Sequence, residues 1–464
     1  MSPAEADLTV RNARVVTESG IMHGGVAATD GMIIRVSADR TLPDGEREID
    51  ADGNFLLPGI IDPHVHLGRR DYPYREGLEV DFETETRGAA HGGVTTLLNF
   101  LEHEESYLPH FDFFCRVGEQ NSYIDFSHHA VISREHHLDE VRELADAGIK
   151  SFKMFFNMYK YTDIDIEPAD ADRVYRLLRM ISDMPGALGM FHCENAEVQK
   201  EAEREVRQTG ANDLAAWAAA SPPIAEAMQI DHLGTLTDHL DARTYAVHVS
   251  SAEGVDALER HQSRGVQLAG EALVGHLTLT TDDDLGVWGK ISPPLRGERS
   301  QERLWEGIRT GIIQHVGTDH ITTSKEAREQ GQGRHGDHMW EVAPGLQPSL
   351  EFFLPMMLSE GYNRNRIDMQ RLVEVCSTNN AKRFGLYPQK GTIQEGTDAD
   401  LVIVDTEATT TVDDDFFHGR EPRWSPIHGR KLRGLPTHTI IGGEVAVEHG
   451  ETVAEPGTGS FLSR

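Results

Sequence analysis

The most informative pattern in this chain is an apolar run that ends in two histidines one residue apart, Pro58-Gly59-Ile60-Ile61-Asp62-Pro63-His64-Val65-His66-Leu67. In an extended strand, residues i and i+2 point to the same face. His64 and His66 would therefore project together at the C-terminal end of a buried strand, where two imidazoles can hold one metal ion. Because the chain contains 24 histidines, such a pair also arises by chance. Its meaning depends on the residues at the ends of later strands.

Segments with strand and helix character alternate after this run. Helical patterns cover, for example, 136–147, 168–183 and 252–263. The apolar strand candidates, counted with the first, are 59–66, 94–99, 124–132, 149–156, 187–192, 243–249, 265–271 and 313–319. Strands and helices that alternate in this number predict an α/β fold, a (β/α)8 TIM-like barrel whose active-site residues lie at the C-terminal ends of the strands.

Both ends of the chain carry short strands with alternating polarity, separated by turn residues. These strands are 8–16, 31–36, 399–404 and 437–447. We therefore expect a small β-sandwich domain built from both termini, residues 1–57 and 386–464, beside a barrel domain of residues 58–385.

Composition narrows the possible classes of protein. The net charge of −32 disfavours nucleic-acid binding, because phosphate groups would be repelled. No apolar run reaches about 18 residues, so we expect no transmembrane helix. The first residues, Met1 to Asp7, lack the basic and apolar regions of a signal peptide. The chain has only three cysteines, Cys115, Cys193 and Cys376. This number argues against a fold stabilised by a disulfide framework and fits a reducing cytoplasm.

The acidic excess is extreme. The chain has 76 Asp and Glu against 44 Lys and Arg, and only 9 of the basic residues are Lys. Acid-rich, lysine-poor surfaces suit proteins that stay soluble in concentrated salt, where charge repulsion is screened. We therefore hypothesise a salt-adapted, halophilic host. The simpler alternative is an ordinary acidic cytosolic enzyme.

Ionisable residues recur at the ends of the predicted barrel strands. Lys153 lies within strand four, His192 ends strand five, His248 ends strand six and Asp319 ends strand eight. Taken singly, each has an ordinary explanation: a half-buried histidine, a lysine that reaches solvent, or an aspartate that caps a helix. Those explanations do not predict that all four would share one end of a barrel with the two histidines of strand one.

These residues and several loops make the chain resemble the amidohydrolase superfamily, in its cyclic-amidase branch of hydantoinases, dihydropyrimidinases, dihydroorotases and allantoinases. The resemblance covers essentially the whole chain. The stretches that carry it are Pro58 to His66, Gly92-Gly93-Val94-Thr95-Thr96, Ser292-Pro293-Pro294-Leu295-Arg296, Phe384-Gly385-Leu386-Tyr387-Pro388-Gln389-Lys390-Gly391-Thr392-Ile393 and Gly396-Thr397-Asp398-Ala399-Asp400-Leu401.

The resemblance implies a centre of two divalent metal ions per subunit, usually zinc. Lys153 matches a lysine that carries a CO2-derived carbamate and bridges both ions. An ammonium group cannot ligate a cation, whereas a carbamate offers two anionic oxygens to ions about 3.5–4 Å apart. The other matching ligands are His64, His66 and Asp319 for the more buried ion, and His192 and His248 for the second.

The implied reaction opens the ring of a cyclic amide or ureide. A hydroxide that bridges the metals would attack the carbonyl carbon, because bound metals lower the pKa of water towards about 7. Asp319, as the catalytic residue, would take the hydroxide proton and pass it to the leaving ring nitrogen. The product would be an N-carbamoyl amino acid.

Two departures from the family patterns bear on the substrate. Dihydroorotases typically carry Arg two residues after the second histidine, whereas this chain has Gly68 there, followed by Arg69 and Arg70. This difference disfavours dihydroorotase activity, unless a shifted Arg69 reaches the substrate carboxylate. D-Hydantoinases and dihydropyrimidinases have a Tyr five residues after the bridging lysine, where it stabilises the oxyanion. Here that position is Met158, and Tyr159 follows. A one-residue bulge would restore Tyr159; otherwise the pocket resembles those of L-hydantoinases or allantoinases.

Two loops match substrate-binding segments of the family. Ser292 lies in the loop whose backbone groups read the amide edge of the ring, and Pro344 to Glu351 match the second loop, without the usual Asn of hydantoinases. We expect a hydantoin or dihydropyrimidine as substrate, with allantoinase or dihydroorotase activity as the alternative. The family also suggests a homodimer or homotetramer.

Two further hypotheses about the function remain. The chain could be a non-catalytic scaffold of the same fold, or it could be a deaminase or mononuclear amidohydrolase. The complete set of metal-site residues argues against the scaffold. Lys153 argues against the second group, because those enzymes do not need a carboxylated lysine on strand four.

Overall fold

Two β-sheets organise the chain. The computed structural model describes residues 6–68, 77–157, 168–322, 338–342, 344–346, 349–419 and 425–464. The strands among these residues are β1 (Ala6–Thr17), β2 (Gly20–Thr29), β3 (Met32–Ser37), β4 (Gly45–Asp50), β5 (Phe55–Pro58), β6 (Ile60–His66), β7 (Val94–Leu101), β8 (Asp125–Val131), β9 (Ser151–Phe155), β10 (Leu188–His192), β11 (Thr244–Ala246), β12 (Leu268–Leu273), β13 (Ile313–Gly317), β14 (His320–Ile321), β15 (Leu401–Thr411), β16 (Lys431–Ile441), β17 (Glu444–Glu448) and β18 (Glu451–Thr452).

Helices connect the barrel strands and cover their outer face. In the described part of the chain they are α1 (Gly77–His91), α2 (Phe111–Asn121), α3 (Glu135–Asp146), α4 (Ala171–Ser182), α5 (Ala196–Gln208), α6 (Leu214–Ala220), α7 (Pro223–Leu240), α8 (Ala252–Gln262), α9 (Val274–Thr278), α10 (Glu298–Thr310), α11 (His338–Glu341), α12 (Ser349–Met356), α13 (Met369–Val373) and α14 (Asn379–Phe384). Short 3-10 turns and two π-helical segments, Met357–Tyr362 and Glu374–Thr378, complete the helical structure.

Strands β6 to β14 form a parallel barrel wall. Their order is β13-β12-β11-β10-β9-β8-β7-β6-β14. The eighth position of the barrel is divided, because β13 pairs with β12 whereas β14 pairs with β6. Two residues join β13 to β14, so the wall returns to its first strand. Each predicted barrel strand overlaps one of β6 to β13, with β7 and β12 each extending two residues beyond the predicted end, and the expected fold class is confirmed.

Local sequence explains why these elements form. Strands β7 and β8 are buried along their whole length, because a parallel strand contacts the barrel interior on one face and helices on the other. Side-chain caps then start the helices just after the strand ends. Asn195 caps α5 by accepting from Val198 N–H (3.1 Å), and Ser251 caps α8 by accepting from Gly254 N–H (3.0 Å).

Strands from the two ends of the chain share the other sheet. Strand β5 is the link, because it pairs in parallel with β1 and antiparallel with β15. The order is β18-β17-β16-β15-β5-β1-β2-β3, and β4 pairs with β1. A β-sheet module built from both termini was expected on the same strands. The domain limits, residues 1–57 with 386–464 and residues 58–385, stay a prediction.

A buried lysine joins this sheet to the barrel. Lys390 Nζ is 2.6 Å from Asp125 in β8, 2.6 Å from Asp400 and 3.0 Å from Asp398. Burial alone would lower the pKa of Lys390, but the surrounding carboxylates outweigh it and raise that pKa above its usual value. The ammonium group therefore neutralises carboxylates that belong to both parts of the fold.

Replacing Lys390 by Met should destabilise the protein strongly. The variant leaves three carboxylates without their cation, and breaking a buried pair of this kind costs about 3–5 kcal/mol. Urea-induced unfolding measures the change. Lys382→Met is the control, because Lys382 pairs with Glu18 at the surface (2.9 Å) and such pairs contribute about 0–1 kcal/mol. Equal effects of the two substitutions would contradict the role given to Lys390.

Candidate metal centre

The histidines of the first barrel strand lie at the C-terminal end of β6. Their imidazole centroids are 5.3 Å apart, and both side chains are buried. Asp62 orients this strand end, because its buried carboxylate accepts hydrogen bonds from His64 N–H (3.1 Å) and from the Thr318 hydroxyl (2.6 Å). The same carboxylate ties the first strand to the turn between β13 and β14.

Asp319 lies on that turn and faces the two histidines. Its Oδ1 atom is 3.2 Å from His64 Nε2 and 3.0 Å from His66 Nε2. One ligand atom from each of the three residues lies within 4.8 Å of the others, a spacing that suits a single metal ion. Asp319 has a φ of 51°, in the left-handed region, where non-glycine residues persist only when their surroundings hold them.

The histidines of strands five and six lie against this group. The ring centroid of His248 is 5.4 Å from that of His64 and 4.4 Å from that of His192. His248 also has a positive φ, 39°, and its N–H donates to the carboxylate of Glu271 (2.9 Å). All four histidines singled out in the sequence therefore come together at one end of the barrel.

Lys153 projects from β9 and is fully buried. Among the described residues its Nζ atom has no hydrogen-bond partner. Burial lowers the pKa of Lys153 to about 8, although the negative charges of Asp319 and Glu271 oppose this effect. A lysine with a lowered pKa is partly uncharged near neutral pH, and an uncharged amine can react with CO2.

A buried glutamate lies beside each of three imidazoles, and the sequence analysis did not identify these glutamates. Glu271 Oε2 is 2.8 Å from His64 Nδ1, Glu102 Oε1 is 2.7 Å from His66 Nδ1, and Glu194 Oε2 is 2.7 Å from His192 Nε2. Carboxylates in such positions fix the tautomer and orientation of metal-binding histidines. The available signal was a charged residue within or directly after an apolar strand, which by itself has many explanations.

The pKa values of the group indicate which of its side chains carry a proton. Burial favours a neutral Glu194, but the hydrogen bond from His192 outweighs it and lowers the pKa of Glu194 to about 2. Because an ionised carboxylate only accepts, we assign the hydrogen of this 2.7 Å contact to His192 Nε2. Burial would also lower the pKa of His64, but Glu271 and Asp319 raise it to about 9. The raised pKa of His64 therefore reflects the negative charge of Glu271 and Asp319, which a bound metal ion would neutralise instead.

The donor set fits divalent cations. It contains imidazole nitrogens and a carboxylate, the usual ligands of zinc. Four buried carboxylates contact the imidazoles, and buried negative charge is costly unless cations compensate it. The carboxylates are those of Glu102, Glu194, Glu271 and Asp319.

The predicted substrate-binding residues are only partly within the described chain. The Ser292 hydroxyl is buried and has no hydrogen-bond partner in the described part of the structure. Its loop is held by the Trp217 indole N–H, which donates to the carbonyl of Ile291 (2.8 Å). Of the second loop, Pro344 to Glu351, the structure describes only part. Four residues discussed above lie outside the described residues: Arg69, Arg70, Met158 and Tyr159.

Comparison with known proteins agrees with this fold. The amidohydrolase family model matches residues 55–446. An L-hydantoinase of Paenarthrobacter aurescens is 33% identical, over 99% of this chain and 98% of that protein. A D-hydantoinase of Ralstonia pickettii is 30% identical, over 99% of both chains. The chain therefore belongs to the amidohydrolase family.

Among solved structures, hydantoinases are similar to this chain over nearly its whole length. The L-hydantoinase (dihydropyrimidinase) from Arthrobacter aurescens superposes with a TM-score of 0.91 at 32% identity, covering 99% of this chain and 100% of that one. The D-hydantoinase (dihydropyrimidinase) from Thermus sp. gives 0.88 at 30% identity, covering 98% and 99%. The expected resemblance and the expectation of a hydrolase acting on cyclic amides are confirmed.

Metal dependence is a property of this family, and the structure contains candidate metal-binding groups of His and Asp. Which metal binds, and whether Lys153 is carboxylated, stay predictions, as do the individual roles of the site residues. In the part of the chain that the structure describes, none of the helices has the length and apolar character needed to cross a membrane.

Removing metal should lower the thermal stability of the protein. The buried carboxylates then lose their cations, and at a thousandfold excess over Kd each bound ion stabilises the folded state by about 4 kcal/mol. Differential scanning fluorimetry before and after chelation, with metal content measured in parallel, tests this. Zn²⁺ should restore the midpoint, and His66→Gln should respond much less. An unchanged midpoint in metal-free wild-type protein would refute the assignment.

Proposed function

We propose that this chain opens the ring of a hydantoin- or dihydropyrimidine-type cyclic ureide by hydrolysis. Water adds across a ring carbon–nitrogen bond: its oxygen binds the carbonyl carbon, and the ring nitrogen gains a hydrogen. The product is an N-carbamoyl amino acid. The observation that carries the proposal is the convergence of four imidazoles, Lys153 and Asp319 at one end of the barrel.

These residues would hold two divalent ions. We assign His64, His66 and Asp319 to the first ion and His192 and His248 to the second. The abundance of imidazole ligands favours zinc. When bound, the ions would supply Lewis acidity, which lowers the pKa of water and polarises the substrate carbonyl.

Lys153 would join the two positions as a carbamate. Its uncharged amine forms a bond to the carbon of CO2 and loses a proton, which leaves a carboxylate on Nζ. With a pKa of about 8, about a tenth of the amine is uncharged at pH 7. The absence of a hydrogen-bond partner for Nζ among the described residues supports a group that is completed by such a modification.

Asp319 would carry the proton. Its Oδ1 atom contacts both histidines of β6, and its carboxylate is the acidic group among the six residues proposed to hold the ions. It would accept a proton from the attacking water and return it to the leaving ring nitrogen, as general base and then general acid.

Substrate contacts would come from the loops around this centre. The buried, unpartnered Ser292 hydroxyl supports a role of its loop in binding the amide edge of the ring. Tyr159 would stabilise the oxyanion, provided that a bulge after Lys153 brings it into register. Gly68 stands where dihydroorotases have Arg, which disfavours a substrate with a ring carboxylate.

Allantoin is the second candidate substrate. An allantoinase of Rubrobacter xylanophilus is 31% identical to this chain, over 98% of the chain and 97% of that protein. The notable similarity to an L-hydantoinase leaves the preferred enantiomer for experiment. The family further suggests a homodimer or homotetramer, and we propose that the protein acts in the cytoplasm, in keeping with its three free cysteines.

A substrate panel tests the proposed activity. The metal-loaded protein is assayed with dihydrouracil, hydantoins of both hands, allantoin and dihydroorotate. Ring opening is monitored as a decrease in ultraviolet absorbance. We expect turnover of dihydrouracil or a hydantoin. Lys153→Ala and Asp319→Asn should lower kcat/KM on the order of 10³-fold or more.

The control and the rescue make this test specific. Lys150→Ala, three residues upstream and half-buried, should keep full activity. A short carboxylic acid such as acetate should partly restore Lys153→Ala, because a free carboxylate can enter the space left by the carbamate. Near-full activity of Lys153→Ala without additive would contradict the proposal.

The charge of the chain suggests adaptation to salt. At −32, self-repulsion should destabilise the folded protein in dilute buffer and be screened as the Debye length falls from about 10 Å at 0.1 M to about 3 Å at 1 M salt. We expect the thermal midpoint to rise steadily with KCl over this range. A midpoint that does not change with KCl would favour an ordinary acidic enzyme.

A further inference from the structure

Glu194 lies at the meeting point of several elements around the candidate metal centre. It follows β10 by two residues, and its side chain is completely buried. Oε2 is 2.7 Å from His192 Nε2, and Oε1 accepts a hydrogen bond from the Ser221 hydroxyl at the end of α6. Both carboxylate oxygens are therefore engaged by hydrogen-bond donors.

The same carboxylate reaches the segment that precedes Tyr159. Asn157 Nδ2 lies 3.3 Å from Glu194 Oε2 and donates to Gln199 Oε1 (2.9 Å). Gln199 in turn donates to the Ser221 hydroxyl (2.8 Å). Asn157, two residues after the end of the Lys153 strand, is thereby held against Glu194.

A third set of contacts leads to the Ser292 loop. Arg296, four residues after Ser292, donates from Nη1 to the carbonyl of Ser221 and from Nε to the Ser250 hydroxyl (3.2 Å). Ser250 follows His248 by two residues, and its N–H donates to the carboxylate of Glu226 (2.8 Å). The Ser292 loop is thus connected through Ser221 to the carboxylate that contacts His192.

The two metal positions differ in how their histidines are supported. In the first, both imidazoles contact a buried glutamate, Glu271 or Glu102. In the second, His192 contacts Glu194, whereas the Nδ1 atom of His248 has no hydrogen-bond partner among the described residues. Within the described part of the chain, Glu194 is therefore the carboxylate that contacts an imidazole of the second pair, while His248 is held through its backbone N–H by Glu271.

We propose that Glu194 is a positioning residue that sets occupancy of the second metal position and links it to the Ser292 loop and to Asn157. By holding Nε2–H of His192, it leaves Nδ1 as the ring nitrogen with a lone pair for a metal. Through Ser221 it is connected to Arg296, at the end of the Ser292 loop, and it contacts Asn157 directly. This rests on the proposed function, because it requires two metal positions.

Metal titration of Glu194→Gln tests the proposal. A glutamine has one acceptor oxygen where the carboxylate has two, so it cannot accept from both His192 and Ser221. Metal-free protein is titrated with Zn²⁺ in competition with a chromophoric chelator. The second equivalent should bind about 10–100-fold more weakly than in wild type, while the first keeps its affinity.

Two further variants guard the interpretation. Glu360→Gln is the matched control, because Glu360 is buried and pairs with Arg364 (3.0 Å) and Arg430 (2.8 Å) away from the imidazoles; both equivalents should bind as in wild type. Ser221→Ala removes one donor to Glu194 and is milder. It should weaken the second equivalent several-fold, and it decides the question if Glu194→Gln does not fold.

The outcomes separate this proposal from the one before it. Wild-type protein that binds no Zn²⁺ would overturn the proposed function and this inference together. Wild-type protein with two equivalents, and variants at Glu194 and Ser221 with unchanged affinities, would overturn only the role of Glu194. Weakening of the first equivalent instead of the second would also overturn it.

Discussion

Buried negative charge at one end of the barrel is the constraint on which this structure depends. Glu102, Glu194 and Glu271 each contact one imidazole, and Asp319 contacts two. A carboxylate removed from water costs several kcal/mol unless hydrogen bonds and positive charge compensate it. The protonated imidazole of His64 and the Lys153 ammonium supply part of that charge, and two divalent ions would supply the rest. The group is therefore built to attract cations, whichever ring the enzyme opens.

The barrel supplies the geometry that this charge requires. Its wall closes where β13 ends and β14 begins, and the turn between them carries Asp319 to the histidines of β6. Asp62 fastens the turn by accepting from the Thr318 hydroxyl. His248 and Asp319 both have positive φ, a conformation that the surrounding hydrogen bonds maintain at a cost. The turn that closes the barrel therefore also brings Asp319 to the histidines of the site.

Much of the fold could be predicted, because a parallel strand buried on both faces leaves a continuous apolar run in the sequence. The candidate ligands could be predicted because they follow those runs and match a family pattern. The glutamates could not. Glu271 contacts a histidine 207 residues away, and nothing near Glu271 in the sequence indicates that partner. The link through Ser221 and Arg296 was hidden for the same reason, since those residues, 75 apart in the sequence, meet only in the folded chain.

The order of amino acids alone was enough to indicate the alternation of strands and helices, the common end of the barrel at which ionisable residues gather, and the chemical class of the site. Those properties repeat along the chain with the period of each element, so they can be read locally. Which nitrogen an imidazole presents, which carboxylate holds it, and how the two metal positions differ in their support depended on the folded chain. Hydrogen bonds act over about 3 Å, and only packing brings residues from distant segments that close.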